Sequence, residues 1–484
     1  MQRLEHKVAS GVVWSLSEKL LSMVVQMVVS IIVARQLMPE DFGVMAIMTF
    51  FTSVALTIVD SGFSQTLIRK QSPTDEEYRT VLSFNIVISF ALYALFVALA
   101  PAISRFYDHE IIATIAPVLF LVLPINSLCV VQTVMFTREF RFALLSKIVF
   151  AASLISGVVA VVMALLGCGI WSLVAQRLLM MAIKAIAFWS IRRWRTTAKV
   201  NLRVLGAMAP FSLRLLATDL IASIYNNVAQ LFIGKMYSTA QLGFYSQAQK
   251  LKDLPVTSTM QAVQGVTYPA LSQLKEDKRK FTDGFERIVM LLSFVLFPVM
   301  LGFVATAEDM FLLLLGERWM PTVPYFKILA LSGLFYPLAM VAYNVLKSLS
   351  DGRVIVRLEV AKRVIMTIIL CVAIPQGVTA VAWGMTAMAM VEFLLNTVAA
   401  MRYMELGVVR LVRAIIPSLL LSVVMYLATT ELSSTILLGC GVALRLVVVV
   451  IVAIFIYVLL AALLRFRALR EAWVLLSSML AKSE

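Results

Sequence analysis

The stretch Ala34-Arg35-Gln36-Leu37-Met38-Pro39-Glu40-Asp41-Phe42-Gly43 returns 200 residues later as Gly234-Lys235-Met236-Tyr237-Ser238-Thr239-Ala240-Gln241-Leu242-Gly243. Each copy carries a cation, a short polar turn and a closing glycine at matching positions, and each lies between two long apolar runs. A second match, residues 132–141 against 344–353, has a shift of 212. Together the matches predict that six consecutive spans are copied as the next six. An even number of spans per copy leaves both copies in one orientation. The predicted relation is therefore a pseudo-two-fold axis along the membrane normal, as in transporters built from parallel repeats.

Composition fixes the medium. Of 484 residues 61% are hydrophobic and 14% charged, with a mean hydropathy of +0.94. A soluble chain carries about a quarter charged residues, so this one folds in lipid. The formal charge of +15 would suggest nucleic acid on a soluble protein. Here no basic stretch interleaved with stacking aromatics lies outside the apolar runs, and cytoplasmic loops of membrane proteins collect cations anyway. Nucleic acid is excluded as a partner. Cys129, Cys168, Cys371 and Cys440 are too far apart in sequence for a zinc pair or a redox motif and read as small apolar side chains.

A helix crosses a hydrocarbon core of about 30 Å with roughly 20 apolar residues. By that measure the chain predicts an all-α, polytopic membrane protein with about 14 transmembrane helices. They fall near 12–34, 42–68, 78–104, 110–136, 142–166, 170–191, 209–234, 240–271, 284–307, 322–347, 354–375, 378–402, 412–430 and 438–464. The run from Gly11 to Ala34 is too long for a signal-peptide core and reads as an uncleaved first span. The predicted organisation is an N-terminal lobe, 1–199, a C-terminal lobe, 200–404, two further spans in 405–464, and an amphipathic tail, 465–484.

Alternate loops are rich in cations. One set holds Arg69, Lys70 and Arg79, then Arg138 and Arg141, then the cluster from Arg192 to Arg203, and later Lys278, Arg279 and Lys280. The other set holds scattered cations such as Arg35, Arg105, Lys235 and Arg318. This alternation puts both termini in the cytoplasm.

Polar residues inside spans are costly and face a cavity or another helix. At 100° per residue, Ser15, Glu18, Lys19, Ser22, Gln26 and Ser30 fall on one side of span 1, and Thr49, Ser53, Thr57, Asp60 and Ser64 on one side of span 2. Span 7 carries Ser212, Asp219, Ser223, Asn226, Asn227 and Gln230; span 8 carries Gln249, Lys250, Lys252 and Asp253. These are the four helices that the repeat equates: Lys19 corresponds to Asp219, Gln26 to Asn226 and Ser30 to Gln230. Serine and threonine alone read as helix-packing hydroxyls. Lys19, Lys252, Asp60 and Asp219 read as cavity residues, because ions in a membrane need water, partners or a ligand. Lys362 and Arg363 read as snorkelling cations.

No catalytic signature is present. There is no GxxxxGK phosphate loop, and His109-Glu110 lacks the second histidine of a zinc protease. No loop is long enough to house a catalytic domain. The sequence predicts a protein that is not an enzyme, with no cofactor and no metal.

Several motifs in order carry a resemblance. Ser10-Gly11 and Trp14-Ser15 open span 1, Val33-Ala34-Arg35 close it, and Phe42-Gly43 open span 2. Asp60-Ser61-Gly62, Tyr268-Pro269-Ala270 and Gly316-Glu317-Arg318-Trp319 follow. This series resembles the Wzx-type flippases of the multidrug/oligosaccharidyl-lipid/polysaccharide superfamily, most closely the colanic-acid-type branch. The resemblance implies transport of an undecaprenyl-pyrophosphate-linked repeat unit across the bacterial inner membrane, by alternating access, for lipopolysaccharide, exopolysaccharide or capsule. It implies a lipid-linked oligosaccharide and the bilayer as partners, with polymerase and export machinery beyond them. Lys19, Gln26, Asn226, Gln230, Gln249, Lys250 and Lys252 would then meet the substrate. Glu18, Asp60, Asp219 and Asp253 would balance charge or couple an ion. The competing readings are a multidrug or peptidoglycan-precursor exporter of the same superfamily and, from another class, a membrane glycan polymerase.

Overall fold

The computed structural model describes residues 21–60, 62–194, 196–273, 277–350, 352–404, 406–437 and 439–471; at 258, 259 and 261–273 it describes the backbone alone. Glu18, Lys19, Ser61 and the tail beyond 471 lie outside the described residues. Among the described residues there is no strand. Eleven helices there are long and apolar enough to cross a membrane, and the polypeptide is a multi-pass membrane protein.

The chain divides into two compact units, Met1–Ser246 and Gln247–Glu484. The first holds α1 (Leu21–Gln36), α2 (Pro39–Asp60), α3 (Phe63–Arg69), α4 (Asp75–Tyr107) and α5 (Glu110–Leu119). It continues with α6 (Val122–Arg138), α7 (Phe142–Leu165), α8 (Trp171–Ile191) and α9 (Leu202–Met236). The division falls within α10 (Thr239–Gln273), later than the expected lobe boundary at 199/200, because α9 packs along α2, α3 and α4. The second unit goes on through α11 (Lys278–Leu314), α12 (Thr322–Leu349), α13 (Arg353–Ala373), α14 (Val378–Met404), α15 (Val408–Thr435) and α16 (Val442–Leu463).

Two expected spans are interrupted. Span 2 breaks between α2 and α3, where Gly62 takes a left-handed φ of 68°. Span 4 breaks between α5 and α6: Pro124 has no N–H to give the carbonyl of Phe120, and the chain turns there. α10 and α13 coincide with expected spans 8 and 11 but are not among the eleven; they carry Lys250, Lys252 and Asp253 on one and Arg357, Glu359, Lys362 and Arg363 on the other.

The repeat reappears as a contact. At Gly43, near the start of α2, an added Cβ would lie 1.9 Å from the carbonyl oxygen of Thr239. At Gly243, near the start of α10, it would lie 1.9 Å from the carbonyl oxygen of Pro39. Residues 39–43 and 239–243 thus make the same contact in both directions, as a local two-fold axis requires. Only glycine lets two backbones approach this closely. The neighbouring turns hold the crossing: Thr239 Oγ1 lies 2.8 Å from His109 Nε2, and Lys235 Nζ donates to the Phe106 carbonyl at 2.5 Å.

In the second unit, Phe281, Phe285, Phe297 and Met300 of α11 pack with Leu338, Val341 and Val345 of α12 and with Met404 of α14. α11 opens on Asp277, whose carboxylate accepts from the backbone N–H groups of Lys280 and Arg279; these bonds hold its carboxyl below the usual range. Near the other end of α11, buried Asp309 accepts two bonds from Nε of Arg445 on α16, at 2.9 and 2.8 Å. Removing one partner of such a pair leaves an uncompensated charge. Asp309→Ala should therefore cost about 3 kcal/mol, read as a lowered melting temperature of purified protein, while Asp309→Leu with Arg445→Leu should recover most of the loss.

Candidate functional site

The first unit encloses a polar cavity of about 500 Å³ between α2, α3, α6, α8 and α9. Asp60 enters from the end of α2, Asp219 from α9 and Lys184 from α8; Thr57, Gln65, Asn126 and Thr133 complete the polar lining. The break at Gly62 makes this possible. A Cβ on Gly62 would sit 2.6 Å from the Ser212 carbonyl oxygen, so the glycine lets α9 close on the α2–α3 turn. Thr66 Oγ1 and Ser212 Oγ then share a hydrogen bond of 2.8 Å across that contact. Ser64, in the first turn of α3, donates its hydroxyl to Asp60. Below them Phe63, Leu67, Val81, Leu82, Val134 and Met208 form the apolar cluster that fixes α3 against α4, α6 and α9.

Two carboxylates and one ammonium line this cavity, with Lys184 Nζ also 5.5 Å from the centre of the Phe188 ring. With all three ionised the formal balance is one negative charge. Such an arrangement inside apolar helices holds a proton, a cation or a cationic group of a ligand, and its hydroxyls and amides offer hydrogen bonds without one fixed stereochemistry.

The structure places Asp60 and Asp219 on the lining of one cavity. It joins to them Lys184, whose depth is legible in the sequence but whose partners are not. Gln26 on α1 and Asn226 on α9 are exposed, and Gln230 is half-buried. Ser22 and Ser30, on the stripe of span 1, are buried. In the second unit Gln249 is half-buried and Lys250 exposed, while Lys252 Nζ lies 2.6 Å from the carboxylate of Asp253. Glu18 and Lys19 lie outside the described residues.

A second ionic cluster was not expected. Lys362 does not snorkel: it is buried, bonded to Glu359, 3.3 Å from Glu392 of α14 and 5.4 Å from the centre of the Tyr343 ring. Arg363 pairs with Glu359 at 3.7 Å, so two cations and two carboxylates balance. Glu392 and Lys184 each lie fifteen residues beyond a glycine of positive φ, Gly377 and Gly169. Their depth in apolar runs is legible in the sequence; their partners are not.

The sequence profile described as "polysaccharide biosynthesis protein" matches residues 32–324, more than half of the sequence. The chain belongs to the polysaccharide biosynthesis protein family. Within this breadth it is similar to the teichuronic acid biosynthesis protein TuaB of Bacillus subtilis, 24% identical over 69% of this chain and 70% of that one. It is similar also to the succinoglycan biosynthesis transport protein ExoT of Rhizobium meliloti, 26% identical over 72% and 70%. Among solved structures the lipid II flippase MurJ, in an inward closed conformation, superposes with a TM-score of 0.72 at 13% identity, covering 94% of this chain and 98% of MurJ. At that identity the likeness is one of fold. This polysaccharide biosynthesis protein therefore shares the helical architecture of a known flippase and carries its own charged cavity.

Proposed function

We propose that this protein is a flippase that carries an undecaprenyl-pyrophosphate-linked oligosaccharide repeat unit from the cytoplasmic to the periplasmic leaflet of a bacterial inner membrane, for surface polysaccharide synthesis. The observation that carries the reading is the cavity holding Asp60, Asp219 and Lys184 among apolar helices, in a member of a polysaccharide biosynthesis family. Relatives named for teichuronic acid synthesis and succinoglycan transport, and a fold shared with a lipid II flippase, support it. A pyrophosphate and a sugar chain must cross a medium that excludes both; the polar lining of this cavity offers hydrogen bonds to sugar hydroxyls at membrane depth, and its net negative charge suits a coupling proton or cation.

In this reading the chain has fourteen spans and both termini in the cytoplasm, and the repeats 1–199 and 200–404 rock about their shared axis to open to each side in turn. Lys19, Lys250 and Lys252 meet the pyrophosphate, while Gln26, Asn226, Gln230 and Gln249 meet sugar hydroxyls. Glu18, Asp60, Asp219 and Asp253 balance those cations when the site is empty. Spans 405–464 and the tail 465–484 lie outside the moving repeats. The protein transports and does not itself make or break bonds.

Reconstitution tests this. Proteoliposomes should make a lipid-linked oligosaccharide loaded in the inner leaflet accessible to an external glycosidase, and protein-free vesicles should not. Transport of a cationic dye without transport of the lipid-linked sugar would favour a multidrug exporter and overturn the reading.

A further inference from the structure

A second cavity, of about 580 Å³, opens at the cation-rich end of the first unit, where α3 ends and α4 and α9 begin. Arg69, Lys70 and Arg203 line it, with Asn201 at its edge and Val204, Met208 and Phe211 as an apolar wall. We propose that this cavity is a loading site for the diphosphate of a lipid-linked saccharide, occupied before the ligand reaches the charged cavity deeper in the unit.

The cations are held rather than loose. The guanidinium of Arg69 lies 4.9 Å from the centre of the Phe211 ring, a cation–π distance. Lys70 is bonded to buried Glu77, whose carboxylate also closes the capping box at the start of α4. Arg138 fixes the chain behind them: its guanidinium donates to the carbonyls of Leu67 at 3.0 Å, Ile68 at 3.1 Å and Gln71 at 2.7 Å, and to that of Lys70. Arg138 is therefore a positioning residue, which keeps the turn carrying Arg69 and Lys70 in one shape. α9 adds its N-terminal end, capped by Asn201, pointing its helix dipole in the same sense.

Charge selects the ligand. Three cations against one carboxylate leave a formal balance of two positive charges. A diester of diphosphoric acid carries two negative charges at neutral pH, and the phosphodiester of an ordinary phospholipid carries one. Guanidinium groups match phosphate oxygens with paired N–H donors. The apolar wall along α9 suits the first carbons of an isoprenoid chain, and the volume leaves space for a sugar beside the diphosphate. The inference rests on the proposed function for the identity of its ligand, and on the cavity alone for its anion chemistry.

Farnesyl diphosphate is the probe, added to purified protein and followed by native mass spectrometry and by its dependence on salt. The wild-type protein should bind it, more weakly as salt rises, and should not bind farnesol. Arg69→Gln with Arg203→Gln should weaken binding by at least about tenfold with the melting temperature unchanged, since both side chains are exposed. Lys280→Gln, an exposed cation of the other unit, should leave binding as it was. Equal binding by wild type and double variant would overturn the loading site and leave the flippase reading standing. Displacement of the probe by phosphatidylglycerol at equal concentration would also overturn it, making the cavity a phospholipid site. A wild-type protein that binds no farnesyl diphosphate would overturn the loading site, while the flippase reading stands or falls on the proteoliposome assay.

Discussion

Alanine at Gly43 or at Gly243 should abolish export of the polymer and lower the melting temperature of the purified protein. An ideal Cβ at either position would lie 1.9 Å from a carbonyl oxygen of the facing helix start, Thr239 in one case and Pro39 in the other. Backbone atoms cannot rotate away as a side chain does, so the starts of α2 and α10 would have to separate. Overpacking of this kind costs about 1–3 kcal/mol in ordinary cores, and the upper end is expected where backbone is the obstacle. Gly206→Ala is the control, because nothing lies within 4 Å of its added Cβ. Normal export and an unchanged melting temperature in Gly43→Ala would mean that the close crossing does not exist in the membrane.

Lys184→Gln should cut export at least about tenfold while the protein still inserts. The substitution leaves Asp60 and Asp219 lining one cavity without their cation, an uncompensated pair of like charges among apolar helices. Asp60→Asn should also impair transport: it keeps an oxygen that can accept from Ser64 but takes the balance of the cavity from one negative charge to neutral. Lys184→Arg should retain part of the activity, because charge matters more here than shape. The double variant Lys19→Ala, Lys252→Ala should lose export for a different reason, through loss of the proposed pyrophosphate cations. Export and membrane level measured together separate transport defects from failed insertion. Wild-type export from Lys184→Gln would reduce the cavity to helix packing.

Much of this was legible in the residues. Hydropathy sets where a helix crosses lipid, because every backbone polar group must be satisfied inside the span. The 200-residue echo of 34–43 in 234–243 sets Gly43 beside Gly243 in the sequence comparison, but that the two turns cross is visible only in the structure. The motif Asp60-Ser61-Gly62 is legible as a motif, but the break it sits in and the closure of α9 on it are not; the left-handed φ of Gly62 explains why a glycine is needed there. What stayed hidden was the rotation of each helix about its own axis. Lys184 lies well inside the apolar run 170–191, yet nothing local tells which helix it faces. Lys362 looked like a snorkelling cation because its side chain is long enough to reach an interface. Instead Glu359, Glu392 and Tyr343 surround it within the packed unit. Partner choice in a membrane is decided by packing between helices, and packing has no short-range signature in one span. The amides of Gln132 and Asn344, equated by the 212-residue shift, make the same point. Both side chains are buried, and atoms of both have no hydrogen-bond partner among the described residues.

The measurement that bears most directly on the account is the leaflet distribution of lipid-linked oligosaccharide in cells depleted of this protein. Intact spheroplasts and inverted vesicles, treated with the same impermeant glycosidase, report the periplasmic and cytoplasmic faces separately. The account predicts that one undecaprenyl-pyrophosphate-linked repeat unit accumulates on the cytoplasmic face while surface polymer is lost, and that restoring the protein moves it across. Accumulation of the same repeat unit on the periplasmic face would place the protein after translocation, as a polymerase or export component, and would contradict the flippase reading.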